Sequence, residues 1–87
     1  MKIKYHKTFK KHFQKRIAPN SKLVKKFQLR LKLLINDPQN PILKNHKLVG
    51  KMSEYQAFAL GGDIRVIYRI ENETIYLFDI GSHNQVY

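Results

Sequence analysis

Gly62-Asp63-Ile64-Arg65-Val66-Ile67-Tyr68-Arg69-Ile70 and, after nine intervening residues, Ile80-Gly81-Ser82-His83-Asn84-Gln85-Val86-Tyr87 decide how the rest of the chain reads. In the first stretch Ile64, Val66, Tyr68 and Ile70 alternate with Arg65, Ile67 and Arg69, the period-two pattern of a strand with two distinct faces. Glu71-Asn72-Glu73 leaves room only for a hairpin turn, and Thr74–Ile80 resumes the alternation, with Ile75, Leu77 and Asp79 opposite Tyr76, Phe78 and Ile80. Upstream, Tyr55–Leu60 reads as another strand, closed by a Gly61-Gly62 turn. Three strands linked this tightly form an antiparallel meander. The polar tail beyond Gly81 ends on an aromatic residue.

The chain ahead of the meander is basic and mostly helical. Met1–Tyr5 alternates, with Ile3 and Tyr5 on one side, and predicts a short strand. A first helix follows, with Thr8 as its opening cap and Phe9, Phe13 and Ile17 spaced by four into one apolar stripe. Pro19-Asn20-Ser21 ends it, and Asn20 or Ser21 caps a second helix over about residues 21–36. On that helix Leu23, Val24, Phe27, Leu31, Leu34 and Ile35 share one face and pack inward. Leu29 and Leu33 lie to the other side, either as a wide core stripe or as a groove for a partner helix. Asp37-Pro38 and Asn40-Pro41 stop the helix, and residues 38–54 form a long connection. The expected fold is α+β in the order β-α-α-β-β-β, an antiparallel sheet with both N-terminal helices packed on one face.

Eighty-seven residues make a single domain, 1–87, with 43% hydrophobic residues and ten aromatics to fill a core. There is no cysteine, which excludes disulfides and thiolate metal sites. No apolar run is long enough to span a membrane and the Lys-rich start has no signal-peptide core, so a cytoplasmic protein is expected. The net charge of +11 is unevenly placed: residues 1–51 hold 15 of the 17 Lys and Arg and one acid, Asp37, whereas residues 52–87 hold Arg65 and Arg69 against five acids. A field of that sign draws polyanions, and nucleic acid or ribosome is the expected partner.

The element order, the basic helical half and three sequence words combine into a resemblance. His46-Lys47-Leu48-Val49-Gly50, then Gly62–Ile70 with its Asp-x-Arg-x-x-Tyr core, then Asp79-Ile80-Gly81-Ser82-His83 through Tyr87, resemble the RelE/ParE superfamily of bacterial toxins, and most closely its YafQ-like branch. The resemblance spans essentially the whole chain. It implies the toxin of a type II toxin–antitoxin pair: a ribosome-dependent mRNA endoribonuclease, held in check by an acidic, DNA-binding antitoxin and touching operator DNA only through that antitoxin. It also implies two alternatives. One is a ParE-like, non-enzymatic gyrase inhibitor; the other is a weakened toxin acting mainly as an antitoxin-bound co-repressor.

Metal-free RNA cleavage needs a proton taken from the 2′-oxygen, a proton given to the leaving oxygen, and a cation on the phosphoryl group. Imidazole suits the proton steps and guanidinium the phosphate. By the resemblance, His83 is the general acid or base and His46 a second acid–base or positioning group. Asp63 is a base or orients a histidine, Arg65 serves the phosphate, and Tyr87 stacks on or near a base. Lys10, Lys11, Lys15, Lys47 and Lys51 contribute diffuse contact with RNA or ribosome. Two positions depart from the branch pattern: Ala59 stands where it has a histidine, and Asp79 where it has an arginine. His6 and His12 match nothing in the pattern and read as surface residues. Neither a cofactor nor a metal is expected, since the four histidines show no ligand spacing.

Overall fold

A computed structural model describes all 87 residues. The chain forms β1 (Lys2–Tyr5), α1 (Lys7–Arg16), α2 (Ser21–Asn36), β2 (His46–Lys47), β3 (Gln56–Gly61), β4 (Ile64–Glu71), β5 (Thr74–Ser82) and a last helical turn, α3 (His83–Val86). Short 3₁₀ turns at Pro41–Leu43 and Gly50–Met52 break up the long connection.

The five strands make one sheet in the order β1-β5-β4-β3-β2. The expected meander β3-β4-β5 is present and antiparallel. Two features lie beyond the expectation. The first strand joins parallel to β5, so the sheet is mixed. Inside the expected loop, His46 and Lys47 pair with Ala57 and Gln56 as a two-residue edge strand; a pair that short carries no period for a sequence to display.

The β4–β5 hairpin turns on Asn72 and Glu73, at φ of 50° and 59°. Two left-handed residues in a row match the twist of the flanking strands. Along β4 the alternation holds: Val66 and Tyr68 enter the core while Arg65, Ile67 and Arg69 face the other way. Along β5 it does not, because a bulge shifts the register: Tyr68 opposes Leu77 but Ile67 opposes Asp79. Ile80 therefore joins Ile75 and Leu77 in the core, although strict alternation assigns it to the other face.

One core lies between the helices and the sheet. Phe9, Ile17, Phe27, Leu31 and Leu34 meet Phe58, Leu60, Val66, Tyr68, Ile75, Leu77 and Ile80, and Leu43 plugs the end from the 3₁₀ turn. Phe13 and Phe27 meet edge to face at 5.2 Å between ring centres, knitting α1 to α2. Leu33 packs against this core, Leu29 is 68% exposed, and Ile35 lies outward instead of inward. An apolar groove of about 420 Å³ does exist, but it runs between α1 and α2, lined by Phe9, Phe13, Val24, Phe27 and Leu31.

The caps refine the helix limits. Asn20 Oδ1 accepts from the N–H groups of Lys22 and Leu23, as expected for α2. At α1 the cap is His6, whose Nδ1 accepts from the Thr8 N–H (3.1 Å), with Thr8 already inside the helix. An imidazole is an unusual N-cap, and Thr8 carries the commoner signal.

Candidate active site

The site is assembled where β4 begins and β5 ends. Ile64 pairs with Ser82, and Arg65 with Gly81, so the entrance of one strand adjoins the exit of the other. The His83 N–H donates to the Asp63 carbonyl at 3.0 Å, pinning the start of α3 to the β3–β4 turn. Gln85 Oε1 accepts from the Ser82 N–H (2.7 Å), and the Tyr87 N–H closes the helical turn on the His83 carbonyl (3.0 Å). The rings of His83 and Tyr87 then meet edge to face, 4.5 Å between centres.

Tyr87 also lies within the field of Arg65. Partial burial raises its pKa, and the Arg65 charge pulls the other way. The Arg65 guanidinium folds over the turn, where one nitrogen donates to the carbonyls of Gly62 and Ile64, each at 3.1 Å. It makes no carboxylate pair, and its remaining N–H groups are available to a phosphate. Asp63 is exposed, and its carboxylate takes part in no hydrogen bond or ion pair. Four of the five expected catalytic residues, Asp63, Arg65, His83 and Tyr87, thus converge.

His46 stands apart. The register puts it opposite Ala57, on the Arg65 face of the sheet but two strands away and two residues along, about 12 Å at the usual strand spacing and rise. Its Nδ1 meets the Lys44 carbonyl at 2.9 Å, which leaves Nε2 outward. Between His46 and Arg65 the sheet carries Ala57 and Ala59, and Ala59 directly opposes Arg65. Both alanines are buried, so the floor between His46 and Arg65 is covered ground within the sheet. Lys47 and Lys51 are exposed beyond this floor, and Lys10, Lys11 and Lys15 are exposed on α1, which packs along β5 at the other side.

Asp79 explains itself. β1 ends at Tyr5, opposite Leu77, while β5 runs on to Ser82 and exposes a bare strand edge. Helix α1 fills that gap with side chains. Asp79 Oδ1 accepts from the Ile80 N–H (2.8 Å) and meets His12 Nδ1 at 2.5 Å. Arg16 donates to the Ile80 carbonyl (2.8 Å) and lies 3.9 Å from the Asp79 carboxylate. Both backbone groups of Ile80 are satisfied by side chains, and the acid is turned toward α1. His12 is therefore a half-buried partner of Asp79 and not a free surface residue. Its spacing from Phe9 and Phe13, one position off the apolar stripe, was the available signal.

No three His, Asp or Glu side chains cluster closely enough to hold a metal ion. No helix is long and apolar enough to cross a membrane.

Residues 1–87 match the family described as bacterial toxin of type II toxin-antitoxin system, YafQ. The chain belongs to the YafQ family. It is a toxin of the type II class, and the toxins of this family are endoribonucleases acting as mRNA interferases. Solved structures carry the same fold. YafQ from Escherichia coli strain BL21(DE3) is 23% identical, with a TM-score of 0.79 over 98% of this chain and 96% of that one. A copper-bound mutant toxin from Helicobacter pylori is 22% identical, with a TM-score of 0.81 over 100% and 99%. A YoeB/ParE toxin from Agrobacterium tumefaciens is 16% identical, with a TM-score of 0.82 over 95% and 99%. No curated protein sequence matches the chain.

Proposed function

We propose that this YafQ-family chain is itself an active endoribonuclease that cuts mRNA on the translating ribosome in the cytoplasm. The observation that carries this reading is the meeting of Asp63, Arg65, His83 and Tyr87 at one corner of the sheet, tied by the His83 N–H to the Asp63 carbonyl. In the proposed step a histidine removes the 2′-hydroxyl proton and the 2′-oxygen attacks the adjacent phosphorus. The bond to the 5′-oxygen breaks, and a second group returns a proton to that oxygen. A 2′,3′-cyclic phosphate and a 5′-hydroxyl remain.

His83 is the first proton-transfer group. His46, across the floor, serves the opposite side of the phosphate or positions the strand. Arg65 offers its unused N–H groups to the phosphoryl oxygens, Asp63 orients or accepts at the His83 end, and Tyr87 stacks on a neighbouring base. With Asp79 bound to His12, its charge does not oppose the phosphate. The five lysines named above hold ribosomal RNA without reading sequence.

An antitoxin is the expected regulator. E. coli YafQ has been crystallised as a DinJ–YafQ complex. By analogy an acidic, DNA-binding partner binds this chain and brings it to operator DNA.

The test is cleavage in a translating extract. Wild-type protein should cut transcripts there and spare free RNA, while His83→Ala should slow cutting about 10²- to 10⁴-fold with the fold intact. Unchanged cutting by His83→Ala would remove that residue from the mechanism. Gyrase inhibition at stoichiometric protein, without transcript cutting, would replace the nuclease reading altogether.

A further inference from the structure

The face of the sheet turned away from α1 and α2 extends well past the candidate active site. There it carries a row that runs across the strands. The register sets Lys4 of β1 opposite Tyr76 of β5, and Tyr76 opposite Arg69 of β4. The Arg69 guanidinium lies 4.8 Å from the centre of the Tyr76 ring, and Lys4 Nζ lies 5.9 Å from the same centre. Beside this row, Phe78 is in ring contact with Tyr55 (4.9 Å) and His6 (5.0 Å). Together these residues line an open cleft of about 460 Å³. None of them belongs to the hydrophobic core.

Two bland explanations fall short. Covering the sheet accounts for part of the ring packing, since Ile67 beneath is fully buried. It does not account for two cations brought to one tyrosine ring on a partly open surface. Ion pairing accounts for one contact only, Arg69 with Glu71; Lys4 has no acidic partner.

We infer that this cleft is a second RNA subsite, in which a base of single-stranded RNA stacks on the Tyr76–Phe78 platform while Lys4 and Arg69 hold its flanking phosphates. Flat rings interleaved with cations on an open sheet face are what unpaired bases and their backbone require. The charge fits a polyanion, with Lys4 and Arg69 in the lining of the cleft, no acidic residue there, and Glu71 paired to Arg69 beside it. The position fits as well. Arg65 and Arg69 lie on the same face of β4, four residues apart, about 13 Å along the strand. A strand with its reacting phosphate at Arg65 would pass over the platform one or two nucleotides away. The inference deepens the nuclease reading and rests on it for that placement.

The test uses a fluorescein-labelled 2′-O-methyl RNA octamer, which has no free 2′-hydroxyl to attack, followed by anisotropy with the full chain. Tyr76→Leu keeps an apolar side chain in place and should weaken binding about tenfold, the scale of one lost base stack. Lys4→Gln should weaken it less and reduce its dependence on salt. Circular dichroism checks that each variant is folded, and Phe78→Leu repeats the measurement if Tyr76→Leu is not. Wild-type affinity in folded Tyr76→Leu and Phe78→Leu would overturn the subsite. So would variants that bind RNA normally and lose only an acidic protein partner. The two readings separate cleanly: Tyr76-dependent octamer binding without transcript cutting by wild-type protein keeps the subsite and removes the nuclease, whereas normal cutting with no Tyr76 dependence does the reverse.

Discussion

Tyr68, of the Arg-x-x-Tyr word, is fully buried, and its hydroxyl bonds Asn45 Oδ1 (2.6 Å) and Gln56 Oε1 (3.0 Å). Burial pushes its pKa up to about 12, against a partial opposing effect of Asn45. The native state then keeps its proton where the unfolded chain gives it up. Stability contributed by the neutral hydroxyl is complete below pH 10 and is lost as pH rises from 10 toward 12, by roughly 2 to 3 kcal/mol. Urea titrations at pH 9, 10 and 11 should show Tyr68→Phe losing less stability across that window than wild type; parallel losses would rule out this tyrosine as the cause. Asp79 makes the second prediction at this scale. Asp79→Ala strips the Ile80 N–H and His12 of their partner and should cost about 1 to 3 kcal/mol. Asp79→Asn, which can still accept the Ile80 N–H, should recover much of it when both variants are compared by urea titration.

Between β5 and its neighbours the decisive position is Gly81, which is buried without a side chain. A Cβ there would lie 2.5 Å from an Arg16 guanidinium nitrogen and 2.7 Å from Gln85 Oε1. Arg16 is held by the Ile80 carbonyl and Gln85 by the Ser82 N–H, so neither can yield without loss of a hydrogen bond. Gly81→Ala should therefore lower stability by about 1 to 3 kcal/mol and loosen α3. Hydrogen exchange at the Tyr87 and His83 amides should speed up more than exchange in β3. Equal protection in wild type and variant would show that α3 does not depend on this contact. The same strand explains why strict alternation misleads along β5. A bulge changes which side chains face the core without changing residue type, so Ile80 and Asp79 swap roles unseen.

For the molecule as a whole, charge is the dominant quantity. The lysines of α1 face solvent beside β5, so the RNA contacts proposed for them should behave as counterion exchange. Replacing Lys10, Lys11 and Lys15 together by Gln should reduce the salt slope of ribosome binding by about two to three. The rate of cutting once bound should change far less. A slope equal to wild type would place the ribosome contact on another surface.

Much of this is legible in the residues alone. Binary patterns in Phe9, Phe13, Ile17 and Leu23 through Leu34 mark the two helices, and β4 declares itself by alternation, because side-chain period follows backbone geometry. The corner shared by Asp63 and His83 follows from an antiparallel hairpin alone. Other features depend on contacts between residues far apart in the chain, which no local pattern encodes. These are the parallel pairing of β1, the two-residue strand that carries His46, the bulge at Phe78, and the His12–Asp79–Arg16 seal on the edge of β5. The chain's own residues determine its elements and the end of the sheet where the proposed catalytic residues gather. Tertiary structure alone decides which strand edge is left bare, and hence which charged side chains seal it and which stay exposed.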